Sequence, residues 1–293
     1  MGHGAVRRDG AGRSRNPWAD ARAARLDLPP PDLHHNRRAA RDEHHVRAGR
    51  GRTVRGVLTM PAAPDIVYVV KPGDRNEELR YSLRSLAHLP HARVWIAGHC
   101  PSWVRGVGRI PVPPRATKYQ SSTANLRAAA EHPEVAEGFL YFNDDFFIMR
   151  PLDRMPVLHR GPLARVEAYY ATRGRGRYLR GLRETRVLLA QLGHHRPLSY
   201  ELHVPMPMRK AQVLETLDTG AHLEVLHKRT LYGMMHQLGG REISDPKILT
   251  RGPAFPRSVP FLSTLPDSFA HGQVGAHIRA RFPEPGPYET GPR

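Results

Sequence analysis

Six residues, Asp65-Ile66-Val67-Tyr68-Val69-Val70, constrain the fold more than any other stretch. After the aspartate, every side chain is β-branched or aromatic, and none alternates with polar neighbours. A strand of that kind is buried on both faces, as in a parallel sheet covered by helices on each side. The turn Lys71-Pro72-Gly73-Asp74 ends it. Leu79, Leu83, Leu86 and Leu89 then recur at helical spacing across residues 76–89. A second apolar run covers 92–97, a short third strand 107–112, and a helix with a serine-rich start 121–132. A fourth strand, 138–143, stops at Asp144-Asp145. This alternation predicts an α/β fold: a mainly parallel open sheet with flanking helices. The remainder is less regular. Helices are expected over 209–217 and 222–238, and across 187–192 as the continuation of a basic stretch at 173–186, giving a mainly helical second half. Ligands of open sheets sit outside the carboxyl ends of the strands. That rule makes Asp74 and Asn143-Asp144-Asp145 candidate ligand positions.

Charge divides the chain. The whole carries +18, but residues 1–59 hold 13 arginines, no lysine and six acids, a net of +7. That segment has no continuous apolar face with which to offset its ordering entropy. It reads as a disordered Arg-rich tail or as upstream sequence ahead of a start at Met60, with a nucleic-acid-binding arm as a third reading. Residues 60–293 read as one catalytic domain, with an α/β half at 60–150 and an acceptor-side half at 151–293. With 40% hydrophobic residues the chain has a core to build, which excludes wholesale disorder. The lone Cys100 leaves no disulfide within the chain and no cysteine-based zinc site, which fits a reducing cytoplasm. No apolar run is long enough to span a membrane, and no signal peptide is expected.

Three patterns carry chemistry. In Tyr141-Phe142-Asn143-Asp144-Asp145-Phe146-Phe147 an apolar strand ends in an amide and two carboxylates. Mg²⁺ or Mn²⁺ takes one or two carboxylates together with phosphate oxygens and water. The plain alternative is a turn capped by aspartate. Arg80 and Arg84 share a helical face and could offer two guanidiniums to phosphate, or form a solvated face paired with Glu77. His203, in His-Val-Pro-Met-Pro, is a possible general base, or one ordinary histidine among 18.

Taken in order, these segments resemble the Stealth family, the sugar-phosphate transferases of capsular polysaccharide synthesis, to which the lysosomal N-acetylglucosamine-1-phosphotransferase also belongs. DIVYVV, RNEELRYSLRSL, the stretch from KYQSSTANLRAAA to YFNDDFF, ELHVPMPMRKAQVLETL and PFLSTLPDSFAHGQVGAHIRARFPEPGPYE are each similar to one of its blocks. The resemblance spans about 65–290. It departs in the first block, where the family's Trp-Val-Asp/Asn-Gly-like stretch is replaced by a direct run into RNEELR. The resemblance implies a nucleotide-sugar-transferase-like fold that moves a sugar-1-phosphate from a nucleoside-diphosphate sugar, a UDP-sugar above all, to a hydroxyl of a glycan or polysaccharide acceptor. It implies Asp65, His203, Arg229 and Asp267 as catalytic, Arg80, Arg84 and Asn143 as substrate-binding, and Asp144 and Asp145 as holding Mg²⁺ or Mn²⁺. A metal-dependent glycosyltransferase that moves the sugar itself is the first alternative. A non-catalytic nucleic-acid-binding protein is the second, supported by the +11 of residues 60–293 but by no recognisable binding module.

Overall fold

The structure is a computed structural model, and it describes residues 60–174 and 176–290. The Arg-rich segment 1–59 lies outside the described residues. In chain order the elements are β1 (Asp65–Val70), α1 (Glu77–Ser85), β2 (Val94–Gly98), β3 (Gly108–Ile110), α2 (Lys118–Glu131), β4 (Gly138–Asn143) and β5 (Phe146–Ile148). They continue with β6 (Leu158–His159), α3 (Leu163–Ala171), α4 (Arg177–Gln191), β7 (Met206–Arg209), α5 (Lys210–Thr219) and α6 (Lys228–Met235). The last are β8 (Arg241–Glu242), β9 (Lys247–Ile248), β10 (Phe261–Thr264), α7 (Pro266–His271) and α8 (Gln273–Arg281).

The main sheet has the order β3-β2-β1-β4-β7. β1 pairs in parallel with β2 and with β4, in a register that sets Val69 beside Asn143. β7 closes the edge antiparallel to β4, with Tyr141 opposite Met206. An edge place suits β7, because Pro207 has no N–H to give to a further strand. The fold is thus α/β with a mostly parallel five-stranded sheet flanked by helices.

The continuous apolar character of β1 has its expected cause. Val67 and Val69 point into one core with Trp95, Leu126 and Tyr141, beneath α2 and α5. Ile66, Tyr68 and Val70 point into another with Leu79, Leu83 and Phe142, beneath α1. A third cluster, built on Phe147, Leu262, Phe269 and Ile278, joins the small sheet β5-β10-β9 to α7 and α8.

Several boundaries differ from the sequence reading: α2 starts at Lys118 behind a Thr117 cap, which leaves the serines inside the helix, and β3 shrinks to Gly108–Ile110. α1 stops at Ser85 and the next three residues form a 3₁₀ turn. The helix expected over 222–238 forms only at 228–235. The apolar residues before it are buried without a helix. Val225 packs against α4 at Gly181, where a Cβ would collide with the Val225 carbonyl. Among the described residues no helix is long and apolar enough to cross a membrane.

Candidate active site

The strand order turns about β1, so the crevice between β1 and β4 lies at a topological switch point. The chain leaves β1 at Lys71 and leaves β4 at Asp144, and Lys71 Nζ stands 3.8 Å from Asp144 Oδ2. Asn76 caps α1 by accepting from Leu79 N through Oδ1, and its Nδ2 donates to Asp144 Oδ2 at 2.9 Å. Burial lifts the Asp144 carboxyl above the usual carboxylate range; Lys71 opposes that lift and Asp145 adds to it.

Asp145 is handled differently. Burial would raise its carboxyl, but the Lys247 ammonium at 2.5 Å, the nearby His203 and the hydroxyl of Ser263 at 3.0 Å hold it below its ordinary value. Glu78, in the first turn of α1, accepts from Thr264 Oγ1 at 2.6 Å. Burial pushes its carboxyl up to about 7, and Asp144 and Asp145 add to that rise. Lys118 joins from the start of α2. Its ammonium is held below its usual range by burial and by repulsion from Lys247 and Lys71. Three lysines and three carboxylates therefore meet outside the carboxyl ends of β1 and β4.

His203 precedes the edge strand β7. Its Nδ1 donates to Asp245 Oδ1 at 2.9 Å, and its backbone N–H bonds to the same oxygen. Arg160 approaches the other Asp245 oxygen at 3.4 Å. Burial would raise the Asp245 carboxyl, but these partners keep it below the usual range. With Nδ1–H directed to a carboxylate, Nε2 keeps its lone pair, the tautomer a general base requires. The imidazole is 28% exposed, enough to meet a substrate. Arg229 is buried, donates through Nη1 to the carbonyls of Leu202 and Val204, and lies over Tyr141 and Phe146. It clasps the backbone on both sides of His203. Its Nη2 is buried with no hydrogen-bond partner among the described residues.

Four nominated positions fall outside this cluster. Asp65 opens β1 at the opposite edge of the sheet. Its carboxylate accepts from Arg93 N, Trp95 Nε1 and Ala136 N at 3.2, 2.9 and 3.0 Å. It ties β1, β2 and the loop before β4 together, with both carboxylate oxygens engaged. Arg80 and Arg84 do share a face, but both guanidiniums go to Glu289, and Arg84 also donates to the carbonyls of Phe282 and Pro283. They pin the residues after α8 to α1 in place of a phosphate. Asp267 sits exposed on α7, paired with Arg251.

Part of this donor set suits a divalent cation. Asn143 Oδ1 is buried and has no partner among the described residues, and Asp144 follows it. This pair fits Mg²⁺ or Mn²⁺, which bind through few protein oxygens and keep places for phosphate and water. Asp145 is more heavily engaged, with Lys247 and Ser263 both on its Oδ2, which leaves only its Oδ1 for a cation. Among the described residues no group of three His, Cys, Asp or Glu is placed to hold a metal ion, so phosphate or water would complete the coordination.

A pocket of about 330 Å³ opens beside Lys71, lined by Gly98, His99, Pro111, Pro113 and Asn125. Gly98, at φ +106°, lets the chain pass Val70 O and Asn125, where any Cβ would collide. Asn125 Nδ2 donates to Val70 O at 3.3 Å. Asp74, the other ligand position expected from the sequence, is exposed and takes a hydrogen bond from His99 at this rim.

Sequence reasoning missed Asp245, Lys71, Lys118, Lys247, Asn76 and Glu78. Lys71 stood in plain view in its turn after β1. Asn76, Glu78 and Lys118 lay inside quoted blocks without standing out, and Asp245 and Lys247 had no local pattern to mark them. Compared with models of known protein families the chain matches none, and it matches no curated protein.

Proposed function

We propose that the chain is a transferase that moves a sugar-1-phosphate from a nucleoside-diphosphate sugar to the hydroxyl of a glycan acceptor. The reading includes the resemblance to the Stealth family. One structural observation carries it: the His203–Asp245 pair stands beside a cluster of lysines and carboxylates at the switch point of an open sheet.

The nucleoside enters the pocket beside Lys71, and the diphosphate lies across the three lysines. Lys71 is 61% exposed at its side chain, so it can turn from Asp144 to the phosphates. The acceptor oxygen attacks the phosphorus next to the sugar. Its proton passes to His203 Nε2. The bond from that phosphorus to the bridging oxygen breaks, and the nucleoside monophosphate leaves with the electron pair. Asp245 holds the imidazole in its tautomer and stabilises the imidazolium that forms. Arg229 positions His203 through the carbonyls of Leu202 and Val204, and its Nη2 is the donor left for charge on the transferred group. A divalent cation held by Asp144 and Asn143 would neutralise charge on the diphosphate.

The basic stretch at 173–186 gives the nucleic-acid reading less support than its charge suggests. Arg177 and Arg180 approach Glu224, and Arg183 and Arg186 pair with Glu167. Incubating the full chain with nucleotide sugars, Mg²⁺ or Mn²⁺ and acidic or neutral oligosaccharides tests the proposal. Release of nucleoside monophosphate with a phosphodiester product is expected. Release of nucleoside diphosphate with a glycoside would identify a glycosyltransferase instead.

A further inference from the structure

Two of the few large apolar side chains left at the surface, Leu249 and Leu265, are neighbours. They are 55% and 37% exposed. β9 and β10 pair in parallel with Ile248 beside Thr264, so each leucine follows the last paired residue of its strand. Ser268 ties the two chain passes together: its Oγ donates to Ile248 O at 2.8 Å and accepts from Leu265 N at 3.0 Å. Lys247 and Ser263, two residues before the leucines, both reach Asp145. Side chains two apart along a strand share a face. The leucines therefore stand on the rim of the lysine–carboxylate cluster, one step of the pleat further out.

Their surroundings are basic. Residues 246–266 contain Lys247, Arg251 and Arg257 and no acid. The loop that leaves Leu249 runs along α8, where Gln273 N donates to Arg251 O at 3.0 Å and the Phe255 and His277 rings lie 5.5 Å apart. The Arg257 guanidinium lies 4.7 Å from the same Phe255 ring. Burial first, and then Arg257 and Arg281, hold His277 below its ordinary value, so positive charge gathers at this corner. Asp267 answers Arg251, but among the described residues Arg257 and Arg281 have no carboxylate within ion-pair distance.

We propose that this corner docks on an anionic lipid bilayer, with Leu249 and Leu265 entering the interface and Arg257 and Arg281 lying among the headgroups. The inference does not depend on the transferase reading. Apolar side chains beside arginines join hydrocarbon burial to attraction by negative headgroups. Two leucines fall far short of the roughly 800 Å² per partner that a specific protein interface buries, whereas a bilayer asks for no matching shape. A nucleic-acid strand binds on open aromatic platforms, and the one aromatic ring of the loop, Phe255, is already covered by Arg257 and His277. Docked in this way, the chain turns the rim of the cluster toward the headgroup layer.

Sedimentation of the full chain with sucrose-loaded vesicles tests the proposal, with phosphatidylcholine alone compared against phosphatidylcholine containing phosphatidylglycerol. The anionic vesicles should bind the protein much more tightly than the neutral ones. Every variant carries the same Arg-rich segment 1–59, so differences between variants report on the corner. Leu249→Ser combined with Leu265→Ser should weaken binding to anionic vesicles about tenfold or more. Arg257→Gln combined with Arg281→Gln should weaken it about tenfold and flatten its dependence on salt. Fluorescence locates the contact: with brominated lipid in the anionic vesicles, Leu249→Trp should be quenched beyond the wild type, and Val187→Trp, exposed on α4, should not. Equal binding to neutral and anionic vesicles, or undiminished binding in either double variant, overturns the proposal. So does quenching at position 187 without quenching at 249. Tighter binding of a short single-stranded DNA than of anionic vesicles, lost in the arginine variant and kept in the leucine variant, would assign the corner to nucleic acid and overturn it as well.

Discussion

Two buried acids stand at opposite edges of the central sheet. Asp65 opens β1 at the amino edge, and Asp144 follows β4 at the carboxyl edge. They are 2% and 7% exposed, so burial does not tell them apart. Their partners do. Asp65 collects three N–H donors from three places in the chain, with the Arg93 guanidinium 3.7 Å away. Asp144 has one side-chain amide, a lysine with most of its surface in water, a second carboxylate next to it, and an unpartnered amide oxygen before it. A buried carboxylate whose donors are complete is a structural tie. One whose surroundings are left incomplete, with like charges gathered about it, has the character of a site.

The largest expected effects probe the carboxyl edge. His203→Ala and Asp144→Asn should each lower transfer activity by about two to four orders of magnitude, with the melting temperature little changed. An equal loss per folded molecule in Asp65→Ala would erase the contrast between the edges. That variant should act on stability instead. With Trp95 Nε1, Ala136 N and Arg93 N deprived of their acceptor, unfolding in urea should require about 3–5 kcal/mol less than in the wild type.

Glu78 gives a smaller effect that depends on pH. Its ordinary value is about 4.3, and burial lifts it to about 7 in the folded chain. The folded state therefore binds the extra proton between these values, and this group's contribution to stability falls as pH rises across them. Glu78→Gln keeps the acceptor for Thr264 and removes the titration. Denaturation midpoints should show the variant gaining on the wild type from pH 5 to pH 8, by up to about 3 kcal/mol. A constant difference would place the proton elsewhere. The smallest effect belongs to Arg80→Ala, at about 1 kcal/mol of stability with transfer activity unchanged, because Arg84 still holds Glu289. A large rise in KM for the nucleotide sugar would return Arg80 to the phosphates.

What the sequence disclosed follows the range of the interactions. β1 and β4 were legible because burial on both faces writes itself into consecutive residues, and Asp144 was legible because a strand ran into it. The same logic places Asp65 at the edge away from the cluster, since it leads its strand and Asp144 ends one. Asp245 is 42 residues from His203, and Lys247 is 102 from Asp145. Pairs that distant leave no periodicity or spacing to read. Arg80 and Arg84 share one face, as their spacing predicts, but the identity of the acid that takes them, Glu289, depends on where the chain returns after α8.

That return makes α1 a strut. One end is pinned to Asp144 by Asn76, and the other is bolted through Arg84 to Glu289 and to the carbonyls of Phe282 and Pro283. The helix holds these attachments, eight residues apart, at a separation of about 12 Å. A tug on residues 282–289 would travel along this stiff rod as displacement, and arrive at the hydrogen bond on Asp144.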